Sequence, residues 1–327
     1  MINAVRRLAV WLVPVVLVCS ATALAQVKPA NYPVRPIRLI IAVAPGAGAD
    51  AIARAVGQML TERLGQNVVV DNRAGGGGVI ATELVARAAP DGYTFLSQGD
   101  NILLQGVTKR VPFDVLKAFD PVAATSAQPY VLVVGVNFPP KSIKELITYS
   151  ATQQVAYSGS AGVGTAVHLG MEHFKQLSGA KLLFVPYKGS APSIIAVMGG
   201  EIHMAAASAI AASGAIRTGK VRAFATLGLT RIPAMPDLPT VAEQGFPGFK
   251  ITNRYGLHAP AGTPRAIIAA VNQVVVEGMH APAMVKRLAA DGSQPAERMT
   301  PEELRATLVR EYAELEQQVK QLNIKIQ

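Results

Sequence analysis

The stretch RPIRLIIAVAPGAGAD, Arg35 to Asp50, carries an apolar strand pattern into the turn Pro45-Gly46-Ala47-Gly48 and on into a helix that Asp50 can cap. A Gly-rich turn between a strand's C-terminal end and a helix N-terminus leaves several backbone N–H groups unpaired at the positive end of the helix dipole. Such a turn is an anion-binding device. The same residues also match G-x-G-x-x-G/A through Gly46, Gly48 and Ala51, and Asp71 ends the next predicted strand 25 residues after Gly46. An acid there suits a dinucleotide's ribose. Small anion and dinucleotide are thus rival readings of one loop.

Outward from this stretch, β-rich apolar runs alternate with helical patterns, the mark of parallel sheets covered by helices. The first part reads as strands at 37–43, 67–71 and 93–97 with a helix at 51–64. The second reads as strands at 131–136, 155–157, 181–186, 202–206 and 221–226, with helices at 142–150, 164–177, 190–198 and 208–218. Ser142 with Glu145, Thr240 with Glu243 and Thr300 with Glu303 are capping boxes, and Pro264 and Pro301 suit a first helical turn. A stripe of Leu304, Leu308, Tyr312, Leu315, Val319 and Leu322 predicts a final helix with one face packed on a lobe.

The N-terminus has Arg6 and Arg7, an apolar run from Leu8 to Val18, and Ala23-Leu24-Ala25. The run is too short to span a bilayer, so residues 1–25 read as a secretory signal peptide cleaved before Gln26. Cys19 and Trp11 are the only Cys and Trp and lie within it, which excludes a disulfide or thiolate chemistry in the mature chain. The roughly 300 residues left exceed what one core usually supports, so two lobes are expected. Losing Arg6 and Arg7 lowers the net charge from +10 to +8, a balance that suits an anionic ligand. Lys and Arg are scattered, with no basic stripe or interleaved aromatics, and this argues against nucleic acid.

The glycine or small-residue loops at 45–50, 72–79, 98–101, 158–165, 187–191 and 207–209 each follow a predicted strand. Ligands of open parallel sheets bind beyond the strands' C-terminal ends, so two facing lobes would gather these loops around one cleft. Against a dinucleotide enzyme stand export, the stiffness of Pro45 and the lack of an acid–base set. A hydrolase fares no better: Ser160 lies in SGSAGVG, which lacks the G-x-S-x-G elbow. His168 and His173 are five apart on one helix, unlike the pair of a zinc helix. No cofactor and no metal are expected.

Read in order, YPVRPIRLIIAVAPGAGAD, LGQNVVVDNRAGGGG, APDGYTFL, YSGSAGVGTAVHLGMEHFK, PYKGSAP, MGGEI, MPDLPTVAEQGFPGF and YGLHAPAGTP resemble the Bug family, the substrate-binding receptors of tripartite tricarboxylate transporters. The resemblance runs from about Tyr32 to the C-terminus. It implies a two-lobed α/β protein of the periplasmic binding protein type II fold, each lobe a mostly parallel sheet flanked by helices, with the ligand cleft between them. Lobe 1 would be 31–127 plus 257–327 and lobe 2 would be 128–256, with crossings near Gln128 to Tyr130 and Ile251 to Gly256. The ligand implied is a small carboxylate, the partner a membrane permease or sensor, and the receptor a monomer.

The resemblance further implies that backbone N–H groups of Pro45, Gly46, Ala47, Gly48, Ala49 and Asp50 face those of Ser160, Ala161, Gly162, Val163, Gly164 and Thr165 across the ligand, often through waters. Asp50 reads better as the helix cap than as a ligand contact. Ser97, His168, Tyr187, Lys188, Gly189, Ala207 and Ser208 complete the expected cleft. The chain departs from the family pattern at Ala47 and Ala49, and at His203 and Ala206-Ala207-Ser208, where an acid and an F-D-N-like run are usual. The missing acid weighs against an ammonium-bearing ligand. Arg254 stands where an aromatic is usual, and it reads as a fork for a second carboxylate, or else as a hinge ion pair or a solvent-facing side chain.

Overall fold

The computed structural model describes residues 31–46, 48–159, 162–290 and 293–322. The expected leader lies outside the described residues, as do Ala47, Ser160 and Ala161 of the expected site.

The opening stretch forms strand β1 (Ile37–Ile41), followed by helix α1 (Gly48–Leu64). Leu39 and Ile41 enter one apolar cluster and Ile40 another. Both faces of the strand are therefore buried, which explains a run with no polar alternation. Each of these side chains is almost fully buried, contributing roughly 1.5–3 kcal/mol as an upper estimate. β1 pairs in parallel with β2 (Val68–Asn72) and β3 (Thr94–Gly99), Ile37 beside Val68 and Leu39 beside Phe95. The second lobe repeats the plan, with β5 (Val155–Gly159) parallel to both β6 (Leu182–Phe184) and β7 (Met204–Ser208).

The remaining strands are antiparallel, so each sheet is mixed. The long β4 (Phe119–Gly135) runs out of the first sheet into the second, and β9 (Thr252–Pro260) returns beside β4 and β3. A chain that leaves on one strand and comes back on its neighbour must pair in opposite directions. β8 (Val221–Thr226) and the short β10 (Gln294–Pro295) also pair with β4. β4 changes partner at one point: Pro129 pairs with Thr252, whereas Tyr130 pairs with Ser208 of β7. Proline has no N–H to donate, which suits the place where a ladder ends and another begins. On the return, Ile251 N–H still bonds Leu227 O while Thr252 has joined Pro129.

Helices cover both faces of each sheet. Around the first lie α1, α2 (Val79–Ala86), α3 (Asn101–Val107) and α4 (Val115–Ala118). Around the second lie α5 (Ile143–Thr152), α6 (Ala166–Ser178), α7 (Ser190–Gly199) and α8 (Ala209–Arg217). The chain then returns to the first with α9 (Arg265–Met279), α10 (Pro282–Ala290) and α11 (Pro301–Leu322). In α11 Leu304 and Leu308 are buried in the lobe 1 core, and Tyr312 and Leu315 pack against it.

Two of the three expected capping boxes bond reciprocally, whereas at Ser142 the Glu145 carboxylate accepts from the N–H of Lys141. Ser142 Oγ accepts from Glu145 N–H, and Thr300 and Glu303 exchange backbone-to-side-chain bonds of 2.8 and 3.2 Å. Thr240 and Glu243 also bond reciprocally at 2.8 Å, yet they close a turn and not a helix. Gly245, Pro247 and Gly248 follow too soon for a helix to propagate.

Candidate functional site

The loop after β1 is held from behind. Asp50 lies in the first turn of α1, 4 % exposed. Its carboxylate accepts from Gly46 N–H, Arg54 Nε and Asn72 Nδ2, each at 3.0 Å. Burial opposes its ionisation, but the bonds from Arg54, Asn72 and Gly46 outweigh it and leave the pKa below the usual carboxylate range. Asp50 thus braces the turn from inside the first turn of α1, which begins at Gly48, and does not cap a helix starting at Ala51 as expected. It also engages the Gly46 N–H, and Pro45 has none, so among the described residues the donors this loop presents begin at Gly48. The first-turn N–H groups of α1 have no intrahelical acceptor.

The facing loop belongs to α6. Thr165 Oγ1 accepts from His168 N–H at 3.2 Å and donates to Gly162 O at 3.0 Å. His168 Nδ1 accepts from Gly164 N–H at 3.2 Å, and its ring stacks on Phe184 with centroids 4.1 Å apart. Burial lowers the His168 pKa, and Lys175 and Arg110 push the same way against the pull of Glu172. The imidazole is therefore neutral, as an accepting Nδ1 requires. His168 shapes the loop, and the Gly164 N–H expected to meet a ligand is already bonded.

These loops meet across the lobes. Ala44 N–H donates to Lys188 O at 3.2 Å, and Asn101 Oδ1 accepts from Ala166 N–H at 2.7 Å. Arg110, beyond α3, donates to Val163 O. Gly77 lies directly against Val163 O, where any side chain would collide with backbone. Gly48 meets the second lobe just as closely. A Cβ there would stand 2.6 Å from Ser208 Oγ and 2.7 Å from Gln128 Oε1. A cavity of about 10 Å³ between β1, Gly77-Gly78 and β3 is lined by Ala49, Ser97, Gln98 and Asn101. It has about the room one water needs.

Beneath the loops the two crossing strands supply a buried polar floor. Asn253 Nδ2 donates to Tyr130 Oη at 2.9 Å, and the Tyr130 and Tyr255 hydroxyls are 3.3 Å apart. Asn253 Oδ1 accepts from Asp100 N–H at 3.1 Å. Gln128 and Ser208 are 2 % and 1 % exposed. Neither amide atom of Gln128, nor Ser208 Oγ, has a hydrogen-bond partner among the described residues.

Of the other expected site residues, Gly162 packs beside Tyr187 O and Gly189 precedes α7 in the same cluster of loops. The Tyr187 hydroxyl turns to Glu201 at 3.1 Å, and Lys188 is exposed. Ala207 faces away from the loops, buried in the apolar cluster beneath α7 and α8. Arg254 is held within the protein. Its guanidinium binds Glu311 of α11 and Asp100, the latter at 3.2 Å, which is the ion-pair alternative. Burial and the neighbouring Glu311 lift Asp100 to about 6 against the pull of Arg254. Gln128, Gln98, Asn101 and Arg110 are not among the site residues expected from the sequence, although Gln98 and Asn101 lie in the cleft loop read at 98–101 and Gln128 at the first crossing; Arg110 leaves no signal there.

The dinucleotide reading needs a free acid at the end of β2. Asp71 is instead paired with Arg38 and Arg73. Among the described residues no group of His, Cys, Asp or Glu could hold a metal ion. Comparison with known proteins points the same way. The family model for the tripartite tricarboxylate transporter family receptor matches residues 52–322. Protein BugT of Bordetella pertussis is 35 % identical over 285 residues, 86 % of this chain and 87 % of BugT. The structure of the periplasmic binding protein BugD superposes with a TM-score of 0.85 at 30 % identity, covering 90 % of this chain and 100 % of that one. That of R. palustris Rpa4515 with adipate gives 0.84 at 30 % identity, covering 90 % and 99 %. A two-lobed fold whose loops meet at one cleft, matched over most of its length by these proteins, belongs to the tripartite tricarboxylate transporter receptor family.

Proposed function

We propose that this chain is an exported receptor that captures a small carboxylate between its lobes and presents the closed form to a membrane permease or sensor. The observation that carries this reading is the gathering of strand-end loops from both lobes around one cleft, with Ala44 bonded to Lys188, Asn101 to Ala166, and the N-terminus of α1 at Gly48 set against Ser208 of the other lobe. The positive end of α1, opening into such a cleft, favours an anion there. The adipate bound by a structural relative supports a carboxylate as that anion.

Residues 31–127 with 257–327 form one lobe and 128–256 the other, hinged where β4 changes partner at Pro129 and Tyr130 and where the chain returns at Ile251 and Thr252. Capture involves no chemistry, no cofactor and no metal. Closure buries the ligand and creates a surface that a partner distinguishes from the open form. Residues 1–25 direct export and are removed before Gln26. Titration calorimetry of the mature chain against mono-, di- and tricarboxylates tests the reading. Saturable binding of a carboxylate is expected, and binding of NAD with none of any carboxylate would refute it.

A further inference from the structure

We propose that Gln128 and Ser208 are a specificity pair that reads a neutral hydrogen-bonding group, a hydroxyl above all, on the carboxylate ligand. The inference rests on the carboxylate reading above and adds what accompanies the carboxylate. Buried polar side-chain atoms are almost always paired. Here three of them, Gln128 Oε1, Gln128 Nε2 and Ser208 Oγ, are buried in one place with no partner among the described residues. All belong to side chains lying against Gly48, at the first turn of α1. They are therefore unspent hydrogen-bonding capacity beside the helix end that favours an anion.

The chemistry of the pair selects its partner. Nε2 donates, Oε1 accepts, and a serine hydroxyl does both. A ligand hydroxyl both donates and accepts and can satisfy the set. A second carboxylate only accepts, so it could pair with Nε2 and the Ser208 hydroxyl but would leave Oε1 unpaired whichever way the amide is turned. A methylene would satisfy none and would leave buried groups unpaired. The cation that a second carboxylate would want is not supplied by Arg254, which is bound to Asp100 and Glu311, nor by Lys188, which is exposed. Gln128 sits on the crossing strand and Ser208 in the second lobe, whereas Gly48 is in the first. The pair therefore meets the ligand group only as the lobes close, and the discrimination acts on the closed state.

The test uses calorimetry with matched acids that differ by one hydroxyl: malate against succinate, 2-hydroxyadipate against adipate, lactate against propionate. The mature wild-type chain should bind the hydroxy acid at least about tenfold more tightly in the pair that fits the cleft. Gln128→Met, nearly equal in volume, and Ser208→Ala should each bring that ratio towards one by weakening the hydroxy acid alone. A ratio near one in the wild type, or variants that weaken both acids of a pair equally, would overturn the inference while leaving a carboxylate receptor intact. Failure of every acid to bind would overturn the carboxylate reading and the pair together. Thermal melting of both variants establishes that they fold. Should Gln128→Met fail to fold, the Ser208→Ala ratio decides.

Discussion

Replacing Gly48 with alanine separates closure from folding. The added Cβ would lie 2.6 Å from Ser208 Oγ, 2.7 Å from Gln128 Oε1 and 3.1 Å from Ser208 Cβ. Ordinary contact begins near 3.4 Å, so the worst approach is short by about 0.8 Å. Rotating the serine hydroxyl relieves one contact, but Ser208 Cβ and Gln128 Oε1 remain. Overpacking of this kind costs about 1–3 kcal/mol, and here it falls on the approach of the first lobe to the second. At tenfold per 1.4 kcal/mol, the dissociation constant of the tightest-binding acid in the carboxylate series should rise about 5- to 150-fold. The open fold pays nothing, since α1 contains Gly48 in helical conformation and alanine favours a helix by up to about 1 kcal/mol. Calorimetry should therefore show weakened binding while the ligand-free melting temperature holds or rises by about 2 °C. Unchanged affinity would refute the closing contact. A ligand-free melting temperature lowered by more than about 5 °C would show that Gly48 belongs to the core. Gly48→Asp adds a like charge beside the anion and should abolish binding.

His258, buried in β9, is lowered to about 4 by burial and by Arg254, so the folded state prefers it neutral. Its contribution is complete above the unfolded pKa of about 6.5 and is lost as the pH falls towards 4, up to about 3 kcal/mol. Asp100, raised to about 6, works in the opposite sense over much of that window and flattens the wild-type profile. Urea unfolding at pH 7, 5 and 4 should therefore show His258→Gln gaining on the wild type as the pH falls, and a constant difference would exclude this role. Arg254→Ala leaves Asp100 and Glu311 without their cation and should lower stability by about 2–4 kcal/mol. The preference among mono- and dicarboxylates should not move, and calorimetry showing loss of dicarboxylates alone would restore Arg254 to the ligand. N-terminal sequencing of the exported protein should begin at Gln26, and a mature chain retaining residues 1–20 would contradict the cleavage.

Local chemistry made much of this legible in the amino-acid order alone. An apolar run without alternation, Ile37 to Val43, meant a strand buried on both faces, and Pro45-Gly46 then Asp50 meant a turn braced onto a helix. Ser142 with Glu145 and Thr300 with Glu303 marked helix starts because both partners lie within one turn. Each of these signals depends on neighbours within a few residues. The other decisive facts depend on residues far apart in the chain. Arg254 could be assigned to neither ligand nor hinge until folding brought Asp100 and Glu311 to it from 154 and 57 residues away. The antiparallel pairing of β4 with β9 needed the route of the chain between lobes, which strand propensity does not encode. Gln128 was one amide in a small-residue strand until Gly48 and Ser208, from opposite lobes, closed around it. A side chain's type limits what it can bond, but only the tertiary structure decides which partners come within reach and which polar groups stay unpaired.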